Sequence, residues 1–199
     1  MQEHSLLYYL EQVEDDRIQK GRRYPLWVIL GIIIMAVLSG RKSLKSIGRF
    51  VVDHKTTLQS LFNLKHGVPS YGTIWNILKR ANFESLNKAL LTWANHHYPF
   101  VQNSCVSADG KALRSTVDNA HDETQNYSFL VSIFGLDSNL VYYSSKNEMS
   151  KDNEAARVRE LFDVIQVNLG ISAEEMSRVK VRLDALHCQK KRLPIPKTS

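Results

Sequence analysis

The hydrophobic pattern changes period at His96-His97-Tyr98-Pro99. Upstream, apolar residues recur every three to four positions; downstream they alternate in short runs, and these are the signatures of helix and strand respectively. The expected architecture is α+β: an all-α helical domain over residues 1–98, then a domain of strands and one helix over 99–199. At 199 residues and 43% hydrophobic content, the chain has material for a core in each.

In the first half, Leu6 to Val13 predicts a short helix. Asp15-Asp16-Arg17 and the basic loop Lys20-Gly21-Arg22-Arg23-Tyr24-Pro25 then lead into Leu26 to Gly40, the most apolar stretch. A bilayer core asks for about 18 or more apolar residues, and this run, with two Gly and a Ser, falls short. A buried helix is expected instead. The stretch also lies behind the charged segment Glu11 to Arg23, not where a secretory signal would sit, so a soluble cytoplasmic protein with no membrane partner is expected.

Ser43 suits an N-cap ahead of Leu44, Ile47, Val51, Leu58, Leu61 and Phe62, with a break near His54. Ser70 suits a second cap, with Ile74, Ile77 and Leu78 facing inward, and Asn82 or Ser85 a third, ahead of Leu86, Leu90 and Trp93. Trp27, Trp75 and Trp93 read as core anchors because each lies on or beside an apolar helical face.

A net charge of +6 attracts polyanions, of which nucleic acid is the commonest. The helix after Ser70 carries Asn76, Lys79 and Arg80 on its polar side. It is either the second helix of a DNA-binding helix-turn-helix or the solvated basic face of a bundle. Cys105 and Cys188 form no metal-binding spacing and fit a reducing compartment.

The second half reads β-β-β-α-β: Ser104 to Ala108 running into Asp109, Tyr127 to Leu136, a turn at Asp137-Ser138-Asn139, Leu140 to Ser144, a helix from about Asn153 to Leu169, and Val179 to Asp184. This order is the opening half of an RNase H-like fold, with the last strand parallel to the first and beside it. Asp109 and Asp184, 75 positions apart (184 − 109), would then face each other at strand ends. Two such carboxylates suit Mg²⁺, a hard ion that activates water and stabilises the leaving oxygen of a phosphodiester. Lys111 and Arg114 would meet DNA phosphates beside the metal, or form a solvated basic strand end. Glu148 and Glu154 read as solvated.

Val106-Ser107-Ala108-Asp109-Gly110-Lys111-Ala112-Leu113-Arg114-Ser115 resembles the DGK-x-L-R strand of the H-repeat-associated, ISAs-type insertion-sequence transposases of the DDE class. Lys146-Asn147-Glu148 resembles that family's segment after its third strand, and Asp184 to Lys191 its second-aspartate motif. Asp16-Arg17, Tyr24-Pro25-Leu26, Ala36 to Gly40, and Val68-Pro69-Ser70 with Thr73 resemble its associated helical domain.

The resemblance, over roughly residues 5 to 191, implies metal-dependent cleavage and strand transfer at the ends of an insertion sequence. It implies Asp109 and Asp184 as two of three metal-binding acids, DNA as partner and a homo-oligomer. The family's third acid, a Glu on a later helix, has no counterpart here, and Arg192 to Ser199 departs from the pattern. An RNase H-like domain truncated after its fourth strand by a frameshift or premature stop is expected. The alternative is a non-catalytic DNA-binding remnant that regulates an intact transposase.

Overall fold

The computed structural model describes residues 4–18, 20, 22–103, 105–118, 126–149 and 154–182, with 110–118, 126–129, 146–149 and 154–158 described by backbone alone. It divides into two compact units, Met1–Trp93 and Ala94–Ser199.

The first unit is built on α2 (Leu26–Leu38), preceded by α1 (Leu6–Leu10) and followed by α3 (Leu44–Asp53), α4 (Lys55–Leu61), α5 (Tyr71–Arg80) and α6 (Phe83–His97), the last running across the unit boundary. The expected buried helix is found: Val28, Ile29, Leu30, Ile32, Ile33 and Ala36 are all buried. Full burial of each such aliphatic side chain contributes roughly 1.5–3 kcal/mol, so α2 organises the unit. No helix among the described residues is long and apolar enough to cross a membrane.

Local chemistry sets the helix ends. Ser43 accepts from Ser46 N in a capping box, Ser70 accepts from Thr73 N, and Asn82 accepts from Ser85 N over 3.0 Å, so three of the expected caps form. The expected break at His54 separates α3 from α4. Gly40, at φ +81°, lets α2 close with Arg41 N donating to Ala36 O over 3.0 Å.

Three inward expectations fail. Leu61, Leu78 and Trp75 are 59%, 46% and 44% exposed. Each lies at the flank of a buried stripe, Leu58 for the first and Ile74 with Ile77 for the others, and a stripe only about 100° wide leaves its flanks outside.

The second unit holds a four-stranded mixed sheet in the order β3-β2-β1-β4, formed by β1 (Cys105–Asp118), β2 (Asn126–Gly135), β3 (Leu140–Met149) and β4 (Lys180–Arg182). β1 pairs antiparallel with β2 and β2 with β3, while β4 runs parallel to β1. The helices α7 (Glu154–Leu169) and α8 (Ala173–Ser177) join β3 to β4. Val106, Ala108, Val131 and Ile133 form the buried face of the sheet, and α7 rests on β2 and β3 with Leu161 and Ile165 buried.

Two strands outrun their expected ends. β1 continues through Asp109-Gly110-Lys111 because β2 pairs with it there, Gly110 opposite Val131 and Lys111 opposite Leu130. Lys146-Asn147-Glu148 lies inside β3, opposite Leu130, Phe129 and Ser128, and not after the strand. Cross-strand pairing overrides the poor strand propensity of Asp, Gly, Asn and Lys.

Candidate functional site

Along β1 the side chains alternate as expected: Val106 and Ala108 are buried, Cys105 and Ser107 half-buried, and Asp109 exposed on their side. Asp109 stands opposite Ser132, and Ser132 opposite Ser144, with the two serine hydroxyls 2.9 Å apart. The result is a row of oxygen-bearing side chains across three strands, headed by a carboxylate. In the next row of the same parity the backbone places Lys111, Leu130 and Lys146. Arg114 lies on β1 beyond Leu113, the last residue before the ladder with β2 shifts register.

Glu148 pairs with Ser128, four residues from Ser132 along β2. At about 3.4 Å per residue it stands roughly 14 Å along the strand from the Asp109 row, too far to share an ion with it. Asp184 lies outside the described residues, as do His187 and Cys188. Among the described residues no group of three or more His, Cys, Asp or Glu is arranged to hold a metal ion.

In the helical unit Asn76, Lys79 and Arg80 are all exposed and lie within about 100° of one another on α5, the polar side expected of them. At about 100° per residue, Ile74 and Ile77 define the buried side, Thr73, Asn76 and Arg80 one flank, and Tyr71, Trp75 and Leu78 the other, with Lys79 facing outward between the two. The first flank lines a cleft of about 790 Å³ whose other wall includes Glu14, Asp15, Asp16, Arg17 and Lys20. Toward the second flank the Lys79 ammonium lies 5.0 Å from the Trp75 ring centroid.

The wall opposite α5 is held by a network invisible to periodicity. Asp15 accepts from Arg17 Nε over 2.7 Å and Arg17 Nη2 over 2.8 Å, and Nη2 also donates to Tyr24 O over 2.9 Å. Arg22 adds donations to Arg17 O and Asp15 O, each over 2.7 Å. The buried Tyr24 hydroxyl reaches His66 O and Val68 O over 3.1 and 3.2 Å, fastening this loop to the segment before α5. The Arg17 guanidinium holds the Asp15 carboxyl below its usual range. Asp15, Arg17, Arg22 and Tyr24 therefore form a structural clasp, whose signal in the sequence is an acid two residues before an Arg.

A search of curated proteins returned no match. A solved pre-cleavage Mos1 transpososome aligns with 86% of this chain at 13% identity and a TM-score of 0.27, and the chain spans 55% of that chain's length. That superposition is too loose to bear on either unit. A family model described as DDE_Tnp_1-associated matches residues 7–94, which run from α1 through the buried α2 to α6 and take in the Arg17–Tyr24 clasp. The helical unit is thus similar over nearly all of its length to a DDE transposase-associated domain.

Proposed function

We propose that the chain serves DNA transposition, with the helical unit holding insertion-sequence DNA and the second unit providing two carboxylates of an RNase H-like DDE site, Asp109 and Asp184. One observation carries this reading. β4 pairs with β1 at a constant offset of 75 positions (180 − 105): Cys105 with Lys180, Val106 with Val181, Ser107 with Arg182. Asp109 and Asp184 are separated by the same offset. Two further steps of the same ladder, were it to continue past Arg182, would bring them opposite each other on parallel strands about 4.8 Å apart.

The donor chemistry suits a hard divalent cation. Asp109 is exposed and its row holds only hydroxyl oxygens beyond the carboxylate, a set that favours Mg²⁺ over softer metals. An ion held by Asp109 and Asp184 would supply a metal-activated water and stabilise charge on the phosphodiester oxygens. Lys111, two residues on from Asp109, and Arg114 stand on the same strand, where their charges would position the DNA backbone.

The test is nicking of supercoiled plasmid by the full chain with Mg²⁺ or Mn²⁺. Metal-dependent nicking abolished by Asp109→Asn and by Asp184→Asn is expected. Nicking that survives either substitution rejects the paired-carboxylate site. DNA binding with no nicking in any variant would instead mark a non-catalytic DNA-binding regulator.

A further inference from the structure

The two flanks of α5 present opposite chemistry to a partner. Thr73, Asn76 and Arg80 look into a cleft whose three carboxylates, Glu14, Asp15 and Asp16, are matched by three cations, Arg17, Lys20 and Arg80, so it offers a nucleic-acid backbone no net positive charge. The other flank is open. Tyr71 and Trp75 are 52% and 44% exposed, an unusual cost for two large aromatics on one helix, and Lys79 stands beside the indole. α5 contains no Asp or Glu at all.

α3 extends this surface. The Tyr71 ring lies against Gly48, close enough that a Cβ there would sit 3.2 Å from Tyr71 Cδ2. Lys45 and Arg49, one turn before Gly48 and one residue after it, are both exposed. Tyr71 therefore packs on the helix that carries these two exposed cations, and Trp75 is bordered by a cation on α5.

Resting on the proposed DNA-binding role, we infer that the Tyr71/Trp75 flank of α5 binds unpaired nucleotides, with bases stacked on the two rings and Lys45, Arg49 and Lys79 meeting the phosphates. A duplex hides its π-faces inside the stack and offers phosphates and base edges, for which two exposed rings are poor partners. A single strand offers both a π-face and a phosphate per nucleotide, which is what interleaved aromatics and cations complement. Lys79 can leave the indole for a phosphate without repacking, since its stem is flexible and its head lies at the surface. The stranded DNA this describes is a frayed or already nicked end.

The experiment measures binding of the full chain to a fluorescent oligothymidylate and to a duplex of equal length, at two salt concentrations. Trp75→Ala should weaken single-strand binding by about tenfold or more, the loss of one stacked base, while Trp75→Phe retains most of it. Lys79→Ala should lower the salt dependence. The thermal midpoint of Trp75→Ala should stay near that of the parent, which separates lost stacking from lost folding.

Duplex bound as tightly as single strand, with Trp75→Ala costing less than twofold, overturns the inference. So does failure to bind either oligonucleotide while Trp75→Ala converts an oligomer to a monomer, which makes the flank a protein interface. Neither result touches the Asp109 and Asp184 nicking test, so the two proposals fail separately.

Discussion

The side-chain amide of Asn103 donates to the hydroxyl of Tyr142 over 3.0 Å, and both residues are buried. Asn103 Nδ2 also donates to Phe100 O over 3.0 Å, its Oδ1 accepts from Ser138 N over 3.2 Å, and the Tyr142 hydroxyl donates to Tyr98 O over 2.8 Å. Tyr142 is the bulged residue of β3, lying between Val141 opposite Phe134 and Tyr143 opposite Ile133. One amide therefore ties the segment entering β1 to the hairpin turn and to the bulge.

Tyr142→Phe keeps the ring, packed edge-on against Phe100, but strands Tyr98 O without its donor. A loss of about 1–3 kcal/mol is expected, read from urea unfolding of the full chain. No measurable change would mean that the network does not form.

Gly135 has no room for a side chain. A Cβ there would lie 2.5 Å from Asn103 Oδ1 and 2.8 Å from Tyr142 Cε2. Gly135→Ala is expected to destabilise the sheet unit by about 1–3 kcal/mol or to prevent its folding, through overpacking and disruption of the same amide. Limited proteolysis should then cut residues 105–149 while sparing the helical unit.

The Asp15–Arg17 pair sets an acid limit. The folded chain holds the Asp15 carboxyl below its ordinary value of about 3.9, so it binds fewer protons folded than unfolded. Its contribution is complete above that value and lost as pH falls through the depressed one. Asp15→Asn should flatten the fall of the thermal midpoint below about pH 4 and leave Tyr24 without its positioned Arg17. An unchanged acid profile would contradict this.

α2 separates core from surface within one helix. Ile32, fully buried, should cost about 2–5 kcal/mol when cut to Ala. Leu38, at its end and 81% exposed, should cost less than about 0.5 kcal/mol. Equal effects would place α2 on a surface.

The elements that local chemistry specifies were legible. Ser43, Ser70 and Asn82 each start a helix because a side-chain oxygen meets an orphan amide, and α2 is largely buried from Leu26 to Ala36 because no other stretch is as apolar. No apolar periodicity announces the helix Ala173–Ser177, although Ser172 and Glu175 form a capping box visible as S-x-x-E. Trp75 and Leu78 were misplaced because apolar character tells which residues favour burial, not which have a partner element. The extents of β1 and β3 were hidden for a related reason, since Gly110 and Lys146-Asn147-Glu148 are strand only through what lies across from them. The 75-position spacing of Asp109 and Asp184 is legible in the sequence, but the ladder offset that gives it meaning belongs to tertiary structure.

The most direct measurement is a cross-link between positions 109 and 184. In the full chain with Cys105 and Cys188 replaced by Ser, the pair Asp109→Cys and Asp184→Cys should form an intramolecular disulfide under mild oxidation. Directly paired parallel strands hold their Cα atoms about 5 Å apart, within disulfide reach. A control pair displaced by three residues on one strand should stay reduced. Efficient closure at 109 and 184 alone supports the two-carboxylate site; failure there, or equal closure of the displaced pair, contradicts it.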